Sequence, residues 1–177
     1  FAAAGYEFNQ ALGDKDLIKT SYTQVGDIMK LLGNDPKAAE YYRKAISVSP
    51  NDIPLRLSYA KLLDKLGEDE AAVEEFNYIL TKNTNNQDIL YSLERIYKKK
   101  LDQSPSDADI TSNLGAILQK QGKLDEALTY YKKAEQLDPS NVNTRINTGT
   151  LYQQKGDYKT AIIAYDSVLI LYPDNIN

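Results

Sequence analysis

Residues Gly115 to Pro139 read GAILQKQGKLDEALTYYKKAEQLDP, and the fold is decided there. Two glycines, Gly115 and Gly122, stand seven apart. Ala127, Tyr131 and Ala134 follow at helical spacing, and Pro139 closes the unit. Displaced by 34 residues, the pattern returns as Gly149, Gly156, Ala161, Tyr165 and Pro173. In the N-terminal half it reads Gly26, Gly33, Ala38, Tyr42, Ala45 and Pro50, with a looser copy at Ala60, Gly67, Ala72 and Phe76. Self-similarity at a fixed period of this size is the signature of a helical repeat array.

Each recurring residue has a physical task. The first glycine lies inside a helix, where it costs about 1 kcal/mol relative to alanine. Close approach of a second helix offsets that cost. The alanine twelve residues on is the expected contact: Gly26 with Ala38, Ala60 with Ala72, Gly115 with Ala127, Gly149 with Ala161. The second glycine ends the first helix in a left-handed conformation, and the proline stops the second helix.

These residues resemble the tetratricopeptide repeat family: two glycines, a small–aromatic–small run in the second helix, and a closing proline. The resemblance covers nearly the whole chain. It implies an all-α fold, a right-handed α-solenoid of antiparallel helix pairs whose first helices line a concave groove. The chain departs from the family at the fourth position of the first helix, which favours tryptophan. Here Tyr22, Arg56, Leu90, Thr111 and Arg145 stand there, which predicts weaker packing between helices.

The repeats divide the chain. Residues 1–18 read as the second helix of a truncated repeat plus a linker, with Ala4, Phe8 and Ala11 at small–aromatic–small positions and Gly13 ending the run. Full repeats follow at 19–52 and 53–86. The first is expected to turn Tyr22, Val25, Met29 and Leu32 inward and to start its second helix with Asp35 as N-cap and Pro36 in the first turn. Residues 87–107 form an irregular or shortened repeat, because Glu94 stands where the register calls for a glycine. The segment starts like a first helix and ends like a second one. It is either a true lone helix or a repeat from which residues are missing. Regular repeats resume at 108–141 and 142–175, with Asp157 capping the last helix. The apolar run Leu169–Tyr172 and the half unit at the start suggest further repeats on both sides, since arrays usually close with a polar capping helix. End-to-end self-association is the expected consequence.

Composition restricts function. Net charge is −4, with a pI near 4.9, so neither nucleic acid nor an anionic membrane is an expected partner. No window approaches the apolar length of a membrane span. The chain has no histidine and no cysteine, which removes the commonest general base, the thiol nucleophile and the usual zinc ligands. No cofactor, metal or enzymatic activity is expected. The acidic clusters at Glu68–Glu70 and Glu74–Glu75 read as solvated surface.

The partner expected is another protein or peptide. Family groove positions carried onto this sequence give Gln24, Asp27, Lys61, Lys65, Tyr91, Arg95, Lys98, Lys99, Asn113, Lys120 and Asn147 as partner-binding candidates. Lys61, Lys65, Arg95, Lys98, Lys99 and Lys120 make a basic middle that would attract an acidic segment. The competing reading is a solvated lysine face. Gln24, Ser58, Ser92, Asn113 and Asn147 share one repeat position, a polar ladder able to bond a peptide backbone; the competing reading is exposed polar surface. The family's clamp for chaperone tails needs lysine–asparagine and lysine–arginine pairs, but Thr23/Asp27, Leu57/Lys61 and Asn143/Asn147 stand there, so that ligand is not expected. Three functions fit: an interaction scaffold, a structural subunit packed through its convex face and ends, or the regulatory array of a larger enzyme.

Overall fold

The computed structural model describes residues 14–83 and 86–171, and all regular structure among them is helical. The chain divides into two compact units, Phe1–Thr84 and Asn85–Asn177. The first holds α1 (Lys15–Leu31), α2 (Asp35–Val48), α3 (Ile53–Leu66) and α4 (Asp69–Lys82). The second holds α5 (Gln87–Gln103), α6 (Ala108–Lys120), α7 (Leu124–Leu137), α8 (Val142–Gln154) and α9 (Tyr158–Leu171). The start and stop of each helix follow from local chemistry. Asp52, Asn86, Asp107 and Asn141 each accept the backbone N–H three residues on, satisfying a donor the helix leaves open. Asp157 does the same at α9, accepting from the Thr160 N–H at 3.1 Å. Gly33, Gly67, Gly122 and Gly156 all take positive φ. At Gly67 this lets the next N–H, that of Glu68, return to the Leu63 carbonyl at 3.0 Å and close the helix end.

Two expectations at the first turn are corrected. Asn34, not Asp35, is the N-cap of α2; its side chain accepts from the Lys37 N–H at 3.2 Å. Asp35 is then the first helical residue, buried, with Lys65 of α3 on its carboxylate at 2.5 Å. Pro36 sits in the first turn, where no N–H is needed. Leu32 does not face inward but is 71% exposed: α1 ends at Leu31, and the tight turn into Gly33 leaves Leu32 outside the packed face. The expected half-repeat at 1–13, with Ala4, Phe8, Ala11 and Gly13, lies outside the described residues, as do Thr84, Asn85, Tyr172 and Pro173.

The glycine inside each first helix does meet a second helix closely, but its nearest neighbour is an aromatic ring. A Cβ on Gly26 would stand 2.7 Å from the Tyr42 ring, one on Gly115 2.8 Å from Tyr131, and one on Gly149 2.7 Å from Tyr165. The expected alanines contribute backbone rather than side chain: the carbonyls of Ala38 and Ala127 come next, at 3.5 and 3.3 Å. In the looser copy Ala60 replaces the glycine and Phe76 the tyrosine, and both are fully buried. The core of the first unit gathers Ala38, Tyr42, Ala45, Ile46, Leu55 and Leu62. In the second unit Leu114, Leu118, Ala127, Tyr131, Ala134 and Leu151 are wholly buried.

Arginine at the tryptophan position makes polar ties. Arg56 donates to the Pro50 carbonyl at 2.6 Å and to Glu75 at 2.5 Å, with its guanidinium 3.9 Å from the Tyr78 ring centroid. Arg145 donates to the Pro139 carbonyl at 2.5 Å. Both arginines thus fasten the turn that precedes their helix, a carbonyl-rich site suited to a guanidinium fork.

Residues 87–103 form one continuous helix, α5. Asn86 caps its start as Asp52 and Asn141 cap first helices. Its end matches a second helix: the Asp107 N–H bonds to the Ser104 carbonyl, as Asp52 bonds to Ser49 and Asn141 to Asp138. First-helix and second-helix signals are therefore fused in one rod. Among the described residues no helix is long and apolar enough to cross a membrane.

Candidate partner-binding face

Two recesses recur at the same repeat position. In the first unit a recess of about 330 Å³ opens between α1 and α3. Thr23, Gln24 and Asp27 line one wall, Pro54, Leu55 and Ser58 the other, and Tyr42 of α2 lies at its base. The Tyr42 hydroxyl donates to Asp27 Oδ1 at 2.5 Å. Burial, and then the Asp27 carboxylate, push this phenol far above its usual range, so it stays a donor at every ordinary pH. Lys19 Nζ donates to Asp52 Oδ2 at 3.1 Å across the same helices.

In the second unit a recess of the same volume, about 330 Å³, lies between α6 and α8. Ala116, Gln119 and Lys120 face Asn147, Thr150 and Gln154, with Tyr131 of α7 at the base. The Tyr131 hydroxyl donates to Gln119 Oε1 at 2.8 Å, and Gln119 Nε2 donates to Gln154 Oε1 at 3.1 Å. Burial raises this phenol as well. The glycine notch sets both bases. It lets the ring pass beside the first helix, so the hydroxyl emerges among that helix's polar residues. Tyr131→Phe keeps the ring and loses one bond to a half-exposed amide. Its expected cost is about 0.5–1.5 kcal/mol in denaturant unfolding.

A third depression, about 500 Å³, lies on α5. Tyr91, Arg95, Lys98, Lys99 and Asp102 surround Glu94, and Lys123 reaches in from the α6–α7 turn. Glu94 is 9% exposed. Its Oε1 accepts from Lys98 Nζ at 2.6 Å and its Oε2 from Lys123 Nζ at 3.1 Å. Burial alone would raise this carboxyl, but the neighbouring Lys98, Gln121 and Lys123 side chains outweigh burial and hold it down to about 2. The Lys123 ammonium also stands 5.6 Å from the Tyr91 ring centroid.

Models of the tetratricopeptide repeat match residues 19–52, 108–141 and 146–175. The chain belongs to the tetratricopeptide repeat family. No curated protein matches its sequence. Among solved structures, MamA 41-end from Desulfovibrio magneticus RS-1 is 22% identical, with 93% of this chain and 98% of that one covered and a TM-score of 0.43. YrrB, described as a TPR protein with an unusual peptide-binding site, is 18% identical over 96% of this chain and 93% of its own, with a TM-score of 0.45. TTC0263, a thermophilic TPR protein of Thermus thermophilus, is 18% identical over 89% and 93%, with a TM-score of 0.46.

Within this tetratricopeptide array the candidate residues fall into separate places. Gln24 and Asp27 line the first recess, and Lys120 and Asn147 the second. Tyr91, Arg95, Lys98 and Lys99 share the α5 depression. Lys61 is exposed on α3 outside the first recess, Lys65 is committed to Asp35, and Asn113 is exposed on α6 outside the second recess. Of the polar ladder, Gln24 and Ser58 meet in one recess, and the hydroxyls of Ser58 and Ser92 each turn back to the carbonyl four residues earlier, Pro54 and Asp88. Sequence reasoning missed the tyrosine bases, Lys123, and the part played by Glu94. The tyrosines had a signal: tyrosine stands sixteen residues after each notch glycine, and phenylalanine sixteen after Ala60. Among the described residues no group of three or more Asp or Glu side chains is placed to hold a metal ion.

Proposed function

We propose that this chain is a protein-interaction scaffold that holds an extended segment of a partner along the first-helix faces of its repeats, with partner side chains seated in the recesses. The observation that carries this reading is the recurrence of one recess, with a tyrosine hydroxyl at its base, at Tyr42 and at Tyr131. Each unit by itself offers one such recess to a partner side chain, and an extended segment presents its side chains regularly. The base hydroxyls and amides fix orientation; Leu55 and Pro54 supply apolar wall. The test is selection of peptides from a random displayed library against the whole chain. Ser58→Arg and Asn147→Arg fill the recesses from outside the buried core. They are expected to weaken selected peptides about tenfold or more; unchanged affinity in both variants rejects the recesses as the binding site.

A second reading, packing into an assembly through an exposed apolar face, is favoured by α9. Tyr158, Ile162, Ile163, Leu169 and Ile170 are 53–77% exposed on that one helix, more apolar surface than a solvated helix normally shows. Self-association through this face predicts a scattering mass that rises with concentration and stops rising in Ile163→Glu/Ile170→Glu. A constant mass in the unsubstituted chain removes this reading.

A further inference from the structure

Every other first-helix signal in the described residues carries a glycine or alanine at the notch; α5 carries Glu94. No second helix of its own follows α5, and the neighbour opposite position 94 is the α6–α7 turn. The carboxylate there bridges two ammonium groups, Lys98 and Lys123. These are 51% and 33% exposed, whereas Glu94 is 12% exposed at its side chain. The two cations therefore stand nearer solvent than the anion that joins them. Arg95, Lys99 and Asp102 also line the depression. Tyr91, 58% exposed, offers an aromatic face beside them.

We propose that the α5 depression accepts an acidic side chain, aspartate or glutamate, of a partner polypeptide, and that Glu94 acts as the built-in competitor for its two lysines. This rests on the scaffold reading and names the chemistry of one partner side chain. Each ammonium has three donors, of which Glu94 takes one on each lysine. An incoming carboxylate can use the remaining donors, and the methylenes behind it lie against Tyr91. The approach is opposed by repulsion from the fixed Glu94 charge a few ångströms away, in a partly buried setting where charges are poorly screened. Glu94 thus holds the lysines in place and at the same time lowers affinity. Acidic segments must outbid it, and neutral ones gain nothing from the site.

The test uses the whole chain and a labelled hexaglutamate peptide, read by fluorescence anisotropy at low salt. Glu94→Gln keeps the shape and removes the charge, and is expected to tighten binding about five- to tenfold. Lys98→Gln and Lys123→Gln are expected to weaken it by a similar factor. Lys132→Gln, an exposed lysine on α7 away from the depression, makes the same change in net charge and is expected to leave binding unaltered. Equal or weaker binding by a helical Glu94→Gln chain overturns the competitor role. If Lys132→Gln weakens binding as much as Lys98→Gln and Lys123→Gln do, the attraction is diffuse and the site is overturned. Should Glu94→Gln fail to fold, the lysine variants decide alone. Library-selected peptides that still respond to Ser58→Arg and Asn147→Arg would show the scaffold standing while the α5 site falls.

Discussion

Gly115→Val is expected to destabilise the protein by about 3 kcal/mol, and Gly115→Ala by about 1 kcal/mol, in denaturant unfolding. Helix propensity points the other way, since alanine gains about 1 kcal/mol over glycine in a helix interior. The geometry decides against propensity. An added Cβ stands 2.8 Å from two carbons of the Tyr131 ring and 3.3 Å from the Ala127 carbonyl. That ring is fully buried and its hydroxyl is tied to Gln119, so it has little room to yield. Overpacking of this kind typically costs about 1–3 kcal/mol. The molecule contains its own control at Ala60, where Phe76 stands at the tyrosine's repeat position and carries no hydroxyl. Gly115→Ala should therefore be less harmful in a Tyr131→Phe background, and the coupling from a double-mutant cycle should be clearly non-zero. A more stable Gly115→Ala chain would mean the glycine is there for some reason other than ring clearance.

The same notch shows which parts of the structure can be read from residue order. Period, turn glycines and closing prolines were legible because each answers a local demand: a missing Cβ at Gly115, a positive φ at Gly67, a helix stopped before Pro50. The alanine was the wrong nearest neighbour because spacing locates a helix face but does not say how far a ring extends along it. Leu32 was misplaced for a related reason, since periodicity continues on paper past the residue where the helix ends. At the candidate site, spacing assigned residues to helices but said nothing of their electrostatic partners. Lys65 and Lys98 read from sequence as groove residues, yet each is held by a carboxylate, Asp35 or Glu94, that is distant or inconspicuous in sequence. Glu94 itself registered only as a missing glycine. Its significance depends on Lys123, which arrives from 29 residues away.

Glu94 also makes the stability of the chain depend on acidity, and the sign follows from where its proton goes. In the folded chain this carboxyl titrates near 2, against an ordinary 4.5, because the neighbouring cations overcome burial. The folded state therefore holds Glu94 charged over a range in which the unfolded state takes up a proton. The stabilisation is fully present above about pH 4.5 and is lost as pH falls toward 2. At full strength the gap is worth about 3 kcal/mol. Solvent around the half-exposed Lys98 screens this to about 2 kcal/mol. Glu94→Gln cannot titrate, so it should be less stable than the unsubstituted chain at pH 7 and should close that difference as pH drops from about 5 to 2. Unfolding midpoints measured at several pH values check this directly. Parallel curves, with the same gap at pH 2.5 as at pH 7, would mean the two lysines do not stabilise the ionised carboxylate in solution, and the competitor role at α5 would lose its physical basis with it.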